Sequence, residues 1–263
     1  AGQFNGTSGY EEAAAQGLVA GMNAALKISG KPPVTLTRDS SYIGTLIDDL
    51  ITKGTNEPYR IMTSRSEYRL LLRQDNADER LTPIGHRAGL ISDERYEKFV
   101  EKQRLIENEI ERCNKTTIHP SERANQILEE AGTVGISTGV RMSELIKRPQ
   151  ITYEMLKDVD PDRPELQRSI ALSVQIRIKY DGYIKRQLAE AERAAKMAAK
   201  KLPPDIDYQS IQGLRLEARQ KLEKIRPADI GQASRISGVS PADISVLMIY
   251  LAQLERQRGT GAF

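Results

Sequence analysis

The stretch Val174-Gln-Ile-Arg-Ile-Lys-Tyr180 decides the fold class of this chain. Taken alone it alternates apolar and polar residues, the period of a half-buried strand. Taken with its surroundings it has a second period. Ile170, Val174 and Ile178 recur every four residues, and Tyr183, Ile184, Leu188 and Ala191 continue the same stripe, as on one face of a helix. Both flanks favour helix. Pro164 can open it, Ala and Lys are dense up to Lys200, and Leu202-Pro-Pro204 stops it. One long helix is therefore expected.

Working outward, the same signals recur on both sides. Toward the C-terminus, Arg215–Ile225, Asp229–Ile236 and Pro241–Gln257 read as three helices in quick succession. Gly238 can make the last turn, Ser240 can cap the helix after it, and Pro241 and Asp243 suit its first turn. Toward the N-terminus, Ser143–Lys147 and Tyr153–Lys157 read as short helices. Pro120 starts another that ends at Gly132, and Ser92-Asp-Glu-Arg95 caps one running toward Cys113. Ser41 caps a helix over Tyr42 to Ile51 with Ile43, Leu46, Ile47 and Leu50 on one face. Glu11 to Lys27 is rich in Ala and Leu, with Glu11 and Glu12 where the helix dipole favours acids. The stretch from Tyr59 to Arg80 has no clear period, and no internal repeat is visible.

The bulk numbers exclude several classes. The 263 residues are 39% hydrophobic and 29% charged, as in an ordinary globular protein, and aromatics make up 5% with no Trp. The longest apolar run, Val246-Leu-Met-Ile-Tyr-Leu-Ala252, is far too short to cross a bilayer. No basic and apolar leader opens the sequence, so no secretory signal is visible. The single cysteine, Cys113, cannot form an intramolecular disulfide and fits a reducing cytoplasm. It sits in a helical pattern and reads as a structural thiol. Two histidines and one cysteine are too few for a dedicated zinc site, so no metal is expected. His86 falls in a turn-like stretch and His119 precedes the helix start at Pro120. A net charge of +3 permits a polyanion partner without demanding one.

The sharpest chemistry is at the start. Ala1-Gly-Gln-Phe-Asn-Gly-Thr-Ser-Gly-Tyr10 runs straight into an Ala-rich helix. Its glycines permit positive φ and close approach of the backbone to another molecule. The first helical turn leaves N–H groups unpaired at the positive end of the dipole. Together these suit a phosphate or an electron-rich carbonyl, and Gln3, Asn5 and Thr7 add side-chain hydrogen bonds. A Gly-rich turn that merely caps a helix is the alternative, and the acids Glu11 and Glu12 count against a bare phosphate.

This opening, continued as Glu-Glu-Ala-Ala-Ala-Gln-Gly, resembles the late flavin-contacting segment of the glucose-inhibited division protein A family. The resemblance continues through Tyr42-Ile-Gly-Thr-Leu-Ile-Asp-Asp-Leu50, Glu57-Pro-Tyr-Arg60, Thr63-Ser-Arg-Ser-Glu-Tyr-Arg-Leu-Leu-Leu-Arg73 and Asp75-Asn-Ala-Asp78. It returns in Lys179-Tyr-Asp-Gly-Tyr-Ile184 and Ile230-Gly-Gln-Ala-Ser-Arg-Ile-Ser-Gly-Val239. These pieces lie in order across nearly the whole chain. Members of that family are FAD-dependent enzymes that modify the tRNA wobble uridine at C5 with a carboxymethylaminomethyl group.

The resemblance implies the C-terminal part of such an enzyme. The expected fold is mostly α, a C-terminal helical domain preceded by the last loop and helix of an FAD-binding α/β domain. Residues 1–35 would be the remnant of that domain and 36–90 a linker with an arginine-rich region. Residues 91–213 would form a helical domain with the long helix, and 214–263 a terminal helical subdomain for tRNA and partner. The implied flavin contacts are Gln3, Asn5, Gly6, Thr7, Gly9 and Tyr10. No Gly-x-Gly-x-x-Gly turn is present, so the FAD site is incomplete here. The catalytic residues are expected in the preceding part, and the isolated fragment is expected to be inactive. The resemblance further implies NADH and methylene-tetrahydrofolate as co-substrates, a GTPase partner, a homodimer and a cytoplasmic protein.

Arg65, Arg69 and Arg73 recur every four residues, a spacing that shares one face on a helix or a strand alike. Arg60 and Arg80 flank them, and Tyr59 and Tyr68 offer rings that could stack on an unpaired base. The planar guanidinium can donate two hydrogen bonds to one phosphate. Glu67, Asp75, Asp78 and Glu79 could equally neutralise the row. With the resemblance, Arg60, Arg65, Tyr68, Arg69 and Arg73 are the candidate tRNA contacts, and Gln232, Ser234 and Arg235 are the exposed polar candidates for the partner. Two other readings stay open. One is a non-catalytic all-α RNA-binding or adaptor module. The other is a helix-turn-helix DNA-binding protein, which the apolar stripe Ile244, Leu247, Met248, Leu251 and Leu254 and the scarcity of base-reading side chains disfavour.

Overall fold

The computed structural model describes residues 1–52, 54 and 58–259. Glu57 of the Glu57–Arg60 motif lies outside them. The chain is mostly α-helical, as expected, and divides into two compact units. One comprises residues 1–71 and 187–263, the other residues 72–186.

The first unit opens with a 3-10 turn, Gly2–Asn5, closed by Gly6 in the left-handed region at φ 80. Helix α1, Tyr10–Ile28, follows, with Glu11 and Glu12 in its first turn and Lys27 in its last, the charge order the dipole favours. Asn23 on α1 then grips the linker: its side chain donates to Val34 O at 2.9 Å and accepts from Val34 N at 2.7 Å. Helix α2, Tyr42–Thr52, begins where Ser41 Oγ accepts from Gly44 N at 2.9 Å, the cap the sequence predicts. Gly44 is required there, because a Cβ would lie 2.1 Å from Thr37 O. Residues 59–71 form no regular element beyond a 3-10 turn at Thr63–Arg65.

The C-terminal part of this unit has its own core. Leu202, Ile206, Tyr208, Ile211, Leu214, Leu222, Ile230, Ile236 and Leu247 are among the residues buried together there. Three helices supply much of it. With the labels counted in chain order, they are α8 (Leu216–Ile225), α9 (Ile230–Arg235) and α10 (Pro241–Gly259). Asp229 caps α9 through Gln232 N at 2.8 Å. Ser240 and Asp243 form a reciprocal capping box at the start of α10, with Ser240 N donating to Asp243 Oδ2 at 2.8 Å and Asp243 N to Ser240 Oγ at 3.3 Å. Gly238 supplies the expected turn at φ 95.

In the second unit, α3 (Ala77–Arg87), α4 (Asp93–Lys115), α5 (Glu122–Glu130) and α6 (Met142–Ile146) accompany the first part of α7 (Arg168–Ala198). The unit boundary falls within α7. A two-residue antiparallel pair, β1 (Thr117–Ile118) with β2 (Val140–Arg141), brackets α5. The core gathers Ile106, Cys113, Leu128, Met142, Leu145, Ile146, Ile151, Tyr153, Leu156, Val174 and Ile178. Val174 and Ile178 point inward from one helical face, so the 174–180 stretch is helix and its apparent alternation is incidental.

Three local expectations change. α7 starts at Arg168 rather than at Pro164, and Tyr153–Lys157 is replaced by a 3-10 turn at Glu154–Val159. His86 is not in a turn: it closes α3, a helix whose internal Pro83 disguises it in the sequence. There the imidazole stacks on Tyr96 at 4.0 Å and bonds Asp93 at 2.8 Å.

Candidate functional site

The opening loop is built from inside. Thr7 is buried, and its hydroxyl donates to Gly2 O at 3.2 Å and accepts from Gln16 Nε2 at 2.7 Å. Asn5 Nδ2 donates to Gln16 Oε1 at 2.9 Å, so one α1 glutamine fixes two loop residues. A parallel bridge joins Thr7 to Tyr59, with Tyr59 N donating to Gly6 O at 2.7 Å. Thr7 and Asn5 are thereby spent on the loop's own shape. Gln3 and Tyr10 remain exposed, and between them the Phe4 ring is fully exposed at 101% and Tyr10 at 90%. Sequence reasoning passed over Phe4, for which the available signal was an aromatic residue set between Gln3 and Asn5 in a glycine-rich stretch.

Glu12 weakens the objection to an anion at this helix start, while Glu11 stays exposed in the same turn. Its carboxylate turns inward, 3% exposed, and accepts from Ile61 N at 3.0 Å and Arg60 Nε at 3.3 Å. Burial alone would raise its pKa. The hydrogen bonds from Ile61 and from its own N–H, with the Arg60 charge, outweigh that and hold it below the usual carboxylate range. Gly9 caps α1 with extended backbone and no side-chain cap. A Cβ there would overlap Glu12 Oε2 at 1.7 Å, so the loop accepts only glycine without moving this acid. The first-turn N–H groups of Tyr10 and Glu11 have no intrahelical acceptor and sit at the positive end of the dipole.

The arginine row does not lie on a regular helix or strand. Its four-residue spacing counts only within a helix or strand, and the segment follows a 3-10 turn and successive turns. Arg65 and Arg69 are exposed in the first unit, whereas Arg73 belongs to the second and bonds Asp75 at 3.0 Å. The guanidinium of Arg65 lies 5.5 Å from the centre of the Tyr59 ring. Arg60 is mostly exposed while it grips Glu12. Neither tyrosine ring is open to a stacking base, since Tyr59 and Tyr68 are 8% and 9% exposed. Burial, then the charges of Glu67 and Asp39, raise the Tyr68 pKa. Gln187 holds the Arg69 loop in place, a role no sequence signal announced. Its Oε1 accepts from Leu70 N and Leu71 N at 3.0 and 3.1 Å, and its Nε2 donates to Glu67 O at 3.1 Å.

Beneath this loop lies a network that sequence reasoning missed entirely. Arg38 is buried and donates to Asp49 at 2.7 Å, Asp48 at 3.1 Å, Glu67 at 2.9 Å and the Arg65 carbonyl at 3.1 Å. Burial would weaken its charged form, but Glu67 and Asp49 raise its pKa well beyond the usual arginine value. Asp49, wholly buried, also accepts from the Tyr59 hydroxyl at 2.7 Å. Asp48 in turn accepts two hydrogen bonds from Arg235. Arg235 is therefore not an exposed polar residue. Gln232 is half-buried and accepts from Ala228 N at 2.8 Å, so of the three partner candidates only Ser234 is exposed, with its hydroxyl donating to Gly231 O at 2.8 Å. At the start of α10, Asp243 is buried against Arg215, whose Nη2 donates to it at 2.7 Å. Among the described residues, no cluster of His, Cys, Asp and Glu could hold a metal ion, and no helix is long and apolar enough to cross a membrane.

Comparison with known proteins brings these regions together. Residues 1–32 match the description "Glucose inhibited division protein A". Residues 93–188 match the C-terminal helical domain of the tRNA modifying enzyme MnmG/GidA, and residues 190–262 its C-terminal helical bundle. The chain belongs to the MnmG/GidA family. It corresponds to the family's C-terminal portion. The tRNA uridine 5-carboxymethylaminomethyl modification enzyme MnmG of Caldicellulosiruptor saccharolyticus is 63% identical over 97% of this chain, which covers 41% of that protein. The enzyme of the same name from Geobacillus kaustophilus is 55% identical over 96% of the chain and 40% of its own length. The chain thus spans about two-fifths of the length of these MnmG relatives. Among solved structures, Aquifex aeolicus GidA in its form II crystal superposes with a TM-score of 0.81 at 44% identity, over 95% of this chain and 39% of that one. The form I crystal gives 0.78 at the same identity, over 95% and 38%.

Proposed function

We propose that this chain is the C-terminal part of an FAD-dependent enzyme that, with a GTPase partner, adds a carboxymethylaminomethyl group at C5 of the tRNA wobble uridine. The observation that carries the reading is the opening loop. It matches the family in sequence, its polar groups are internally satisfied, and its remaining donors face outward around an exposed Phe4.

The residues fit a flavin. Gly9 puts no side chain at the helix start, the Glu12 carboxylate packed against it is held by Ile61 N and Arg60, and the Tyr10 and Glu11 N–H groups lie at that end of the helix. Gln3 would donate to an electron-rich edge of the ring, and Tyr10 would flank it. Asn5, Gly6 and Thr7 would shape the loop. FAD, when bound, supplies the redox chemistry, with NADH and methylene-tetrahydrofolate as the co-substrates expected in the whole protein. This chain's share is to bind, orient and exclude water at that loop, while the reacting groups belong to the part of the enzyme not represented here.

Arg65, Arg69 and Arg60 are the tRNA-facing cations in this reading, with Arg73 and Tyr68 in supporting positions. Ser234 is the leading partner contact beside Gln232 and Arg235. The cytoplasm and a homodimer accord with the family. The test is binding of an unmodified wobble-uridine tRNA at two salt concentrations, by wild type and by Arg65→Ala/Arg69→Ala. Counterion release predicts that the double variant binds more weakly, its salt slope flatter by on the order of one unit per lost phosphate contact. Equal binding by both proteins would remove these arginines from the tRNA surface. Tight tRNA binding with no flavin dependence in a full-length protein would favour the RNA-binding adaptor instead.

A further inference from the structure

We propose that Arg38, Asp49 and Tyr59 are positioning residues that set the backbone of the flavin loop. The inference rests on the reading that the opening loop contacts flavin.

The connection is a continuous series of short contacts. The Arg38 guanidinium holds Asp49 Oδ1 at 2.7 Å, and Asp49 Oδ2 holds the Tyr59 hydroxyl at 2.7 Å. The backbone of Tyr59 holds Gly6 O at 2.7 Å and pairs with Thr7. Every side chain in the series is less than one-tenth exposed. Thr7 reaches Gln16 and, through the Gly2 carbonyl, the base of the 3-10 turn that carries Gln3 and Phe4.

A buried guanidinium with buried carboxylates is an expensive way to fill space, since well-packed apolar side chains of similar volume are often as stable or more so. What the charges add is direction. Asp49 bonds both Arg38 and the Tyr59 hydroxyl, which ties the Tyr59 side chain down beside the backbone N–H that meets Gly6 O. Gly6 lies in the left-handed region, one of several conformations open to glycine, and the hydrogen bond from Tyr59 N to its carbonyl favours this one. Arg38 and Asp49 therefore act on the loop through Tyr59 and touch no ligand themselves.

The test uses a full-length protein carrying this sequence as its C-terminal part, with FAD dissociation constant, visible circular dichroism of the bound flavin and thermal midpoint as readouts. Tyr59→Phe keeps the ring and removes the hydroxyl. It is expected to weaken FAD on the order of tenfold, the equivalent of one lost buried hydrogen bond, and to change the flavin dichroism. Asp243→Asn, which loosens the C-terminal helices alone, is the control for general destabilisation and should leave FAD affinity within about twofold. Asp49→Ala should weaken FAD at least as Tyr59→Phe does, and the double variant should be no worse than Asp49→Ala, because the hydroxyl then has no partner to lose. If Tyr59→Phe does not fold, Arg38→Lys serves: it keeps the charge, loses the fork and should give an intermediate loss. Should Gln3→Ala weaken FAD while these variants behave like Asp243→Asn, the positioning role is wrong and the flavin-loop reading stands. Should Gln3→Ala also be silent, both fall.

Discussion

Arg235 and Asp48, 187 residues apart, meet in a two-pronged ion pair, Nε to Oδ2 at 2.8 Å and Nη2 to Oδ1 at 2.7 Å. The pair joins α9 to α2, and Asp48 also accepts from the buried Arg38. With the Asp48 side chain only 12% exposed, little of this attraction is lost to water. Asp48→Asn should therefore lower the unfolding free energy by about 2–4 kcal/mol, because it leaves two guanidiniums short of a partner. Arg235→Lys should cost about 1 kcal/mol, since an ammonium cannot reproduce the fork. Urea titration of the chain, followed by circular dichroism, checks both; equal small losses would mean the pair is a surface contact.

How much of this could be read in the sequence depended on whether the determining contact was local. Ser41, Ser92, Asp229 and Ser240 each cap the helix that follows within three residues, so those helix starts were legible. Helix α3 was not, because Pro83 and Gly85 imitate a turn. The left-handed turn at Gly6 followed from the glycines of the opening loop. The inward turn of Glu12 did not, because its acceptor role depends on Ile61, 49 residues away. The arginine row could not be placed from its spacing for the same reason: periodicity locates side chains only where the backbone is regular, and residues 67–71 are held instead by Gln187, more than a hundred residues on.

Asp243 gives a prediction in pH. Hydrogen bonding to Arg215, at 2.7 Å from Nη2, lowers its pKa most. Burial opposes this, and the Ser240 hydroxyl and N–H add to the lowering, so the carboxyl ionises far below its ordinary range. A depressed folded pKa gives stability that is complete above the unfolded value, about 3.9, and is lost as pH falls from there toward the folded value. The thermal midpoint should accordingly drop as pH falls below about 5. Asp243→Asn should cost about 1–3 kcal/mol at neutral pH and flatten that acid limb. An unchanged acid limb in the variant would assign the pH dependence to other carboxylates.

Gly44 is the sharpest steric prediction. Its Cα lies so close to the linker that an added Cβ would meet Thr37 O at 2.1 Å, Thr37 C at 2.5 Å and Leu36 O at 2.8 Å. All three are backbone atoms, so no rotamer change can make room. In an exposed helix Gly→Ala is stabilising, by about 1 kcal/mol. Here it should instead destabilise by about 3 kcal/mol or more, the range of severe overpacking. Calorimetry of Gly44→Ala against Gly17→Ala, which meets nothing within 4 Å, separates the two regimes.

Cys113 should be inert. It is wholly buried on α4, and its thiol lies 3.4 Å from Glu109 Oε1. Burial and then the negative Glu109 push its pKa up to about 12. The thiolate, the only nucleophilic form, is therefore scarce at any pH the fold withstands. The same Glu109 accepts from the Tyr153 hydroxyl at 2.8 Å and pairs with Arg112. Native protein at pH 8 should resist a thiol reagent such as dithionitrobenzoate, and denatured protein should react with one equivalent at once. The slow native reaction should be independent of reagent concentration at high reagent, because opening of the second unit limits it. A fast, concentration-dependent native reaction would instead place the thiol at a solvent-accessible surface.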